Sequence, residues 1–246
     1  MEAEVAAAAA APTSTANPYG LLALWNTGWI SKITLIILVF MSLYSWFIIF
    51  TKLWDQSKMS KAAGTVEKNF WTAPSIKDGV ERLRKGDDFR YIAEDGLRAA
   101  SHHEGRLTDR IDLHEWVTMA LQRATDNVNA NLGTGLPFLA TVGSTAPFIG
   151  LFGTVMGILN ALIDIGMSGQ PSIDRVAGPV GEALQMTAIG LVVAVPAVAG
   201  YNWLLSRNKV LQGRVQAFAS DLHAYMVSGA RVDSGASPAP AVVIKK

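Results

Sequence analysis

The stretch VAGPVGEALQMTAIGLVVAVPAVAGYNWLLS, residues 176–206, holds one charged side chain, Glu182, in 31 positions. A helix needs about 20 apolar residues to cross the hydrocarbon core of a bilayer, so this stretch is long enough to span. Two other intervals are of the same kind: 19 residues without a charge separate Lys32 from Lys52, and 37 separate Asp126 from Asp164. Helices of soluble domains run about 8 to 20 residues, and a soluble bundle has little use for uncharged runs of this length. With 50% of the 246 residues hydrophobic and 17% charged, the expected fold class is all-α, a membrane protein with three transmembrane helices.

The basic residues orient the spans, because Lys and Arg are retained on the cytoplasmic side. None precedes Lys32, 13 lie from Lys52 to Arg123, only Arg175 falls between the second and third spans, and 6 follow from Arg207 onward. The N-terminus and the link around Arg175 are therefore expected outside, and the long middle segment and the tail inside. The chain has no cysteine, so neither disulfides nor thiol chemistry enter.

Residues 1–20, with an alanine run at 6–11 followed by Thr, Ser, Asn and Pro, lack the basic start and long apolar stretch of a signal peptide and predict a flexible outer tail. Residues 21–54 predict a short interfacial helix, with Trp25 and Trp29 at headgroup level, leading into the first span, whose inner end Trp46 and Trp54 mark. Residues 55–131 mix charges of both signs with apolar residues at helical spacing, as in Leu113, Val117, Leu121, Ala124 and Val128, and predict a cytoplasmic helical domain. The second span is expected at 132–163. As one helix, the uncharged interval after Asp126 would be about 55 Å long at 1.5 Å per residue, so its polar start stands in the cytoplasm. A short outer loop at 164–175 and the third span at 176–206 follow. A cytoplasmic helix at 207–228 carries the stripe Leu211, Val215, Phe218, Leu222 and Tyr225, and a disordered tail occupies 229–246. Two of the spanning helices thus extend into the cytoplasmic helical domain.

A carboxylate inside a span is costly and usually faces a bundle interior or a water-filled cavity. Glu182 lies about 9 Å inside the outer end of the third helix if that helix enters near Val176, at 1.5 Å per residue. A carboxylic acid taken out of water favours its protonated form and releases the proton when wetted or paired with a cation, which is what a proton relay needs. The other reading is a shallow Glu reaching back to the headgroups. No other ionisable residue lies deep in a span, so a relay needs water, hydroxyls or another subunit. Thr154 and Thr187, about 13 and 16 Å from the outer ends of the second and third helices, supply hydroxyls at comparable depth. Thr187 is five residues from Glu182, about 140° round the helix, so one face cannot hold both. On the residues alone, each Thr serves equally well as part of a route or as a side chain bonded to its own helix backbone.

The second span is rich in small residues, Gly143, Ala146, Gly150, Gly153, Thr154 and Gly157, with Gly153 and Gly157 at the GxxxG spacing that lets helices approach closely. Pro137, Pro147 and Pro196 can bend these helices. His102, His103, His114 and His223 all fall outside the spans, so an intramembrane serine protease lacks its base and zinc lacks a ligand cluster. There is no GxxxxGK[ST] loop for phosphate.

Two stretches resemble the ExbB, TolQ and MotA family: LPFLATVGSTAPFIGLFGTVMGI, residues 136–158, and GEALQMTAIGLVVAVPAVAGYN, residues 181–202. The pairing of GLFGTV with EAL, then TAIGL and a Pro-containing end, carries the resemblance. The order of segments, one span, a cytoplasmic domain and two spans, is similar to ExbB and TolQ; MotA-like stators have four spans. Met156 stands where the family commonly has Trp, Pro179 comes one place later than the family's proline, and Gln185 and Met186 replace small or aliphatic residues.

The resemblance implies a proton-channel subunit of a bacterial inner-membrane motor, without enzymatic activity or cofactor. Such a subunit uses the proton motive force to energise TonB-dependent transport across the outer membrane. In the family the proton pathway is associated with a third-span Glu and two Thr, which fall here on Glu182, Thr187 and Thr154. The resemblance further implies a periplasmic N-terminus and a homopentamer. The pentamer's central pore encloses ExbD-like subunits, each bringing a membrane Asp, and a TonB-like energy transducer completes the set; no nucleic acid is expected. The Ala- and Pro-containing N-terminus favours the ExbB branch. A TolQ-like subunit of the Tol-Pal envelope-maintenance system and a non-conducting membrane scaffold are the alternatives.

Overall fold

The structure is a computed structural model that describes residues 29–101, 112–168 and 173–228. The expected tails at 1–20 and 229–246, the interfacial stretch at 21–28 with Trp25, the pair His102 and His103, and the loop centre at 169–172 lie outside the described residues.

Every element is helical, and no strand occurs among the described residues. Helix α1 covers Trp29–Thr65 and ends in a π-helical turn, Val66–Phe70. Two short helices follow, α2 at Ile76–Arg82 and α3 at Asp88–Ser101, then α4 at Leu113–Gly133, α5 at Leu136–Ser168 and α6 at Ile173–Ser228. Among the described residues three helices are long and apolar enough to cross a membrane. At 56 residues, α6 is about 84 Å long at 1.5 Å per residue, well beyond the hydrocarbon core. The second uncharged interval is instead interrupted between α4 and α5. Gly135 there has φ +83, a left-handed conformation that glycine adopts without steric cost, and the Thr134 N–H donates to Asn131 O at 3.3 Å. Pro137 then sits in the first turn of α5, where its missing N–H costs nothing.

The chain divides into two units, Met1–Phe47 with Phe138–Gly200, and Ile48–Pro137 with Tyr201–Lys246. The first packs a thin core of Leu38, Met41, Val142, Ala146, Val193, Ala194 and Ala197, with Phe138, Ile149 and Ile189 against it. Its outer surface is apolar: Phe40, Phe148 and Val192 are 63%, 70% and 71% exposed. Soluble proteins rarely expose contiguous apolar surface on this scale, whereas lipid tails are a suitable solvent for it.

The second unit holds the larger core. Val117, Leu121, Ala124 and Val128 of α4 bury one helical face, and Leu211, Val215, Phe218 and Leu222 of α6 bury another. Leu113, the first residue of α4, is 38% exposed and drops out of the stripe. Phe218 sits edge-on to Phe70 and Phe89, ring centroids 5.2 and 5.4 Å away. Ser75 caps α2: its Oγ accepts from the Asp78 N–H at 3.2 Å. At the other end of the unit, the last carbonyls of α4 have no partner within their own helix. The Lys52 ammonium donates to Asn131 O at 2.8 Å, and Asn208 Nδ2 donates to Leu132 O at 2.8 Å. Asn208 Oδ1 in turn accepts from Gln56 Nε2 at 2.7 Å, and both side chains are buried, Asn208 2% and Gln56 1% exposed. Asn208→Leu leaves one buried carbonyl and one buried amide short of a partner. It is expected to cost about 1–3 kcal/mol, read as a lower midpoint of thermal unfolding in detergent.

Asp87 begins α3, its carboxylate accepting from the Phe89 N–H at 3.2 Å. Burial pushes the Asp87 and Asp88 carboxyls above the ordinary value of 3.8, and for Asp88 the neighbouring Asp87 adds to the rise. Lys58 acts against both shifts, Arg84 against that of Asp87, while Asp55 adds to that of Asp88. A raised carboxyl pKa means that the folded state holds the proton more tightly than the unfolded one, so ionisation at neutral pH destabilises the fold. Asp88→Asn is therefore expected to stabilise the protein at pH 7. The gain stays below about 1 kcal/mol because water reaches the group, and it is lost as pH falls below 3.8. Thermal unfolding of both proteins across that range checks the sign.

Candidate functional site

Where α5 and α6 meet, the backbones touch. A Cβ added at Gly150 would lie 2.6 Å from Met186 O and 3.2 Å from the Gly190 Cα, and one at Gly190 would lie 2.7 Å from Ala146 O. At Gly157 it would stand 2.9 Å from the Ala183 Cβ, and at Gly143 it would run into Val198 Cγ2. Gly143, Gly150 and Gly157 recur every seven residues, as do Ala183, Gly190 and Ala197. A spacing of seven returns to nearly the same helix face after two turns, so each helix presents a continuous small-residue seam to the other. The closest approach is thus Gly150 to Gly190. Gly153, half of the GxxxG pair, faces the Thr34 methyl of α1 at 3.1 Å and the Met186 Cβ at 3.2 Å.

This closeness lets a short side chain reach the neighbouring helix. Thr154 is 7% exposed. Its Oγ1 lies 3.1 Å from Gly150 O on its own helix and 3.1 Å from Ala183 O on α6, and it is hydrogen-bonded to the Thr187 hydroxyl. A hydroxyl has one hydrogen to give and two lone pairs with which to accept. Thr154 can therefore donate to either carbonyl while accepting from Thr187, or donate to Thr187 instead, and a rotation of the two hydroxyls switches between these. Thr154 thus bonds its own helix and also bridges to the next.

Glu182 is half-buried and immediately precedes Ala183, whose carbonyl faces Thr154. The Thr154 hydroxyl bonds two backbone carbonyls and the Thr187 hydroxyl. Of the three residues singled out by sequence, the fold joins the two threonines, and Glu182 lies five residues before Thr187, about 140° round α6.

The sequence reading passed over the contribution of α1. Ser31, Thr34, Leu38, Met41 and Ser45 are buried along one face of that helix, at alternating spacings of three and four. That periodicity was visible in the first span, but with serine and threonine standing in place of apolar residues. Met186, a departure from the family pattern in the sequence, is 1% exposed, and its carbonyl faces Gly150, so it forms part of the seam. Among the described residues no cluster of three or more His, Cys, Asp or Glu could hold a metal ion.

Three spanning helices, an apolar outer face and a buried hydroxyl bridge between two of them define a multi-pass helical membrane protein. The profile of the MotA/TolQ/ExbB proton channel family matches residues 88–217. Over 212 residues the chain is 41% identical to the biopolymer transport protein ExbB of Xanthomonas campestris pv. campestris, covering 82% of this chain and 84% of that one. It is 35% identical to ExbB of Neisseria meningitidis over 198 residues, covering 78% and 90% of the two chains. It is also 34% identical to the Tol-Pal system protein TolQ of Pseudomonas aeruginosa over 206 residues, covering 82% and 89%. The chain belongs to the MotA/TolQ/ExbB proton channel family. The family is one of proton channels, which places the chain among transport components.

Proposed function

We propose that this chain is the proton-conducting subunit of an inner-membrane motor that uses the proton motive force to energise TonB-dependent transport across the outer membrane. In this reading Glu182 takes up and releases protons, and the Thr154 and Thr187 hydroxyls line the route. The observation that carries it is the hydroxyl bridge between α5 and α6, one residue from the only carboxylate deep in a span. Proton entry is driven by the membrane potential, worth about 2.3 kcal/mol per charge per 100 mV.

A single carboxylate needs somewhere to hand its proton. The family resemblance supplies a partner: ExbD-like subunits, each with a membrane Asp, enclosed in the centre of a homopentamer of this chain, and a TonB-like transducer that takes up the resulting motion. The N-terminus is then periplasmic and the C-terminus cytoplasmic, in accord with the 13 basic residues from Lys52 to Arg123. The domain organisation follows the same topology, with the second and third spans at 132–163 and 176–206 and a cytoplasmic helical domain at 55–131.

The similarity to ExbB at 41% against 34% for TolQ favours TonB-dependent uptake over envelope maintenance. Complementation separates the readings. The chain, expressed with its ExbD-like partner in a host lacking its own ExbB and TolQ, is expected to restore labelled uptake through a TonB-dependent transporter. Restoration of detergent resistance alone would place it in the Tol-Pal system, and an assembled complex restoring neither would leave a scaffold.

A further inference from the structure

The second unit contains a cavity of about 550 Å³, walled by α1 beyond Lys52, the turn into α3 and the C-terminal end of α4. Its volume falls in the range of small-molecule sites, about 300–1,000 Å³. Lys52, Lys58, Lys61, Arg84 and Lys85 line it against three carboxylates, Asp55, Asp87 and Asp88, so cations are in excess. None of the five cations forms an ion pair among the described residues, where the pairs are Arg90 with Glu94 and Arg123 with Asp95. The turn that brings Arg84, Lys85 and Asp87 to the wall depends on Gly86 at φ +78 and is closed by the Asp87 N–H donating to Arg84 O at 3.2 Å.

Gln56, 1% exposed, spends its amide hydrogens on Leu204 O and Asn208 Oδ1, and its Oε1 is buried without a hydrogen-bond partner. Lys52 is the first charge after 19 uncharged residues, which places that end of the cavity at the depth of headgroup phosphates, where basic residues attract anionic lipid.

We propose that this cavity binds a phosphate ester, the phosphate held by Lys58, Arg84 and the adjoining lysines. Two sources share this chemistry, the headgroup of an anionic phospholipid and a soluble phosphate ester. Asp88 opposes the phosphate, so it sets how tightly the anion is held.

The full-length protein, purified in detergent and stripped of lipid, is offered phosphatidylglycerol or phosphatidylcholine and read by native mass spectrometry; glycerol 1-phosphate is titrated in parallel by calorimetry. Phosphatidylglycerol retained in preference to phosphatidylcholine, with glycerol 1-phosphate unbound, assigns the lipid source. Binding of glycerol 1-phosphate assigns the soluble one. In either case Lys58→Glu and Arg84→Glu each weaken binding by at least about fivefold, and Asp88→Asn strengthens it. Asp88→Asn removes a partly buried charge, so its result decides the matter even if a charge reversal prevents folding. No binding of either probe, equal retention of the two lipids, or affinity unchanged by Asp88→Asn overturns the proposal.

Discussion

Glu182→Gln is expected to reduce proton-coupled uptake by at least about 100-fold, the lower end of what a positioned proton-transfer group contributes, with the complex assembled at its normal level. The substitution preserves shape and hydrogen-bonding capacity but leaves nothing that can gain or lose a proton near neutral pH. Thr154 and Thr187 do not compensate. Their hydroxyls relay a proton only when another group delivers one, and no second ionisable side chain of this chain lies deep in a span. The check is the initial rate of labelled substrate uptake per assembled complex. Wild-type rates would remove Glu182 from the route, and failure to assemble would shift it to a packing role.

The second large effect falls on the seam. Gly150→Val places a Cβ 2.6 Å from Met186 O, and a backbone atom cannot swing aside as a side-chain tip can. The helices must separate, which costs about 1–3 kcal/mol or more and pulls the Thr154 hydroxyl away from Ala183 O and Thr187. Loss of folded protein, seen by size-exclusion chromatography and thermal unfolding, is the expected outcome. Gly213→Ala, on the facing helix α6, is the control. An added Cβ there meets nothing within 4 Å, and Ala gains up to about 1 kcal/mol over Gly inside a helix. Equal stability of Gly150→Val and wild type would show that the two backbones do not approach as described.

The spans and the helical stripes were legible because each is a property of one segment. An uncharged run of 31 positions with a single Glu says how long the apolar surface is. Val117, Leu121, Ala124 and Val128 say which face of α4 is buried, as the core bears out. What was not legible depends on register between segments. The GxxxG pair at Gly153 and Gly157 drew attention, yet the tightest contact is Gly150 against Gly190, because the seam repeats every seven residues and its partner sits 40 positions further along the chain. The threonine bridge follows from that register, and no count of depth along separate helices could distinguish it from two threonines bonded to their own backbones. The break at Gly135 was hidden for a related reason: glycine is common inside spans, and only the backbone shows which one takes a positive φ. Likewise the cavity gathers Lys58, Arg84 and Asn131 from three separate segments.

The account turns on a carboxyl group within the third span that changes its protonation as the complex works. Infrared difference spectroscopy of the reconstituted complex, between acidic and neutral pH, reads that change in the carbonyl stretch of a protonated carboxyl. A band present in the wild type and missing from Glu182→Gln is the predicted result; identical difference spectra from the two proteins would contradict it.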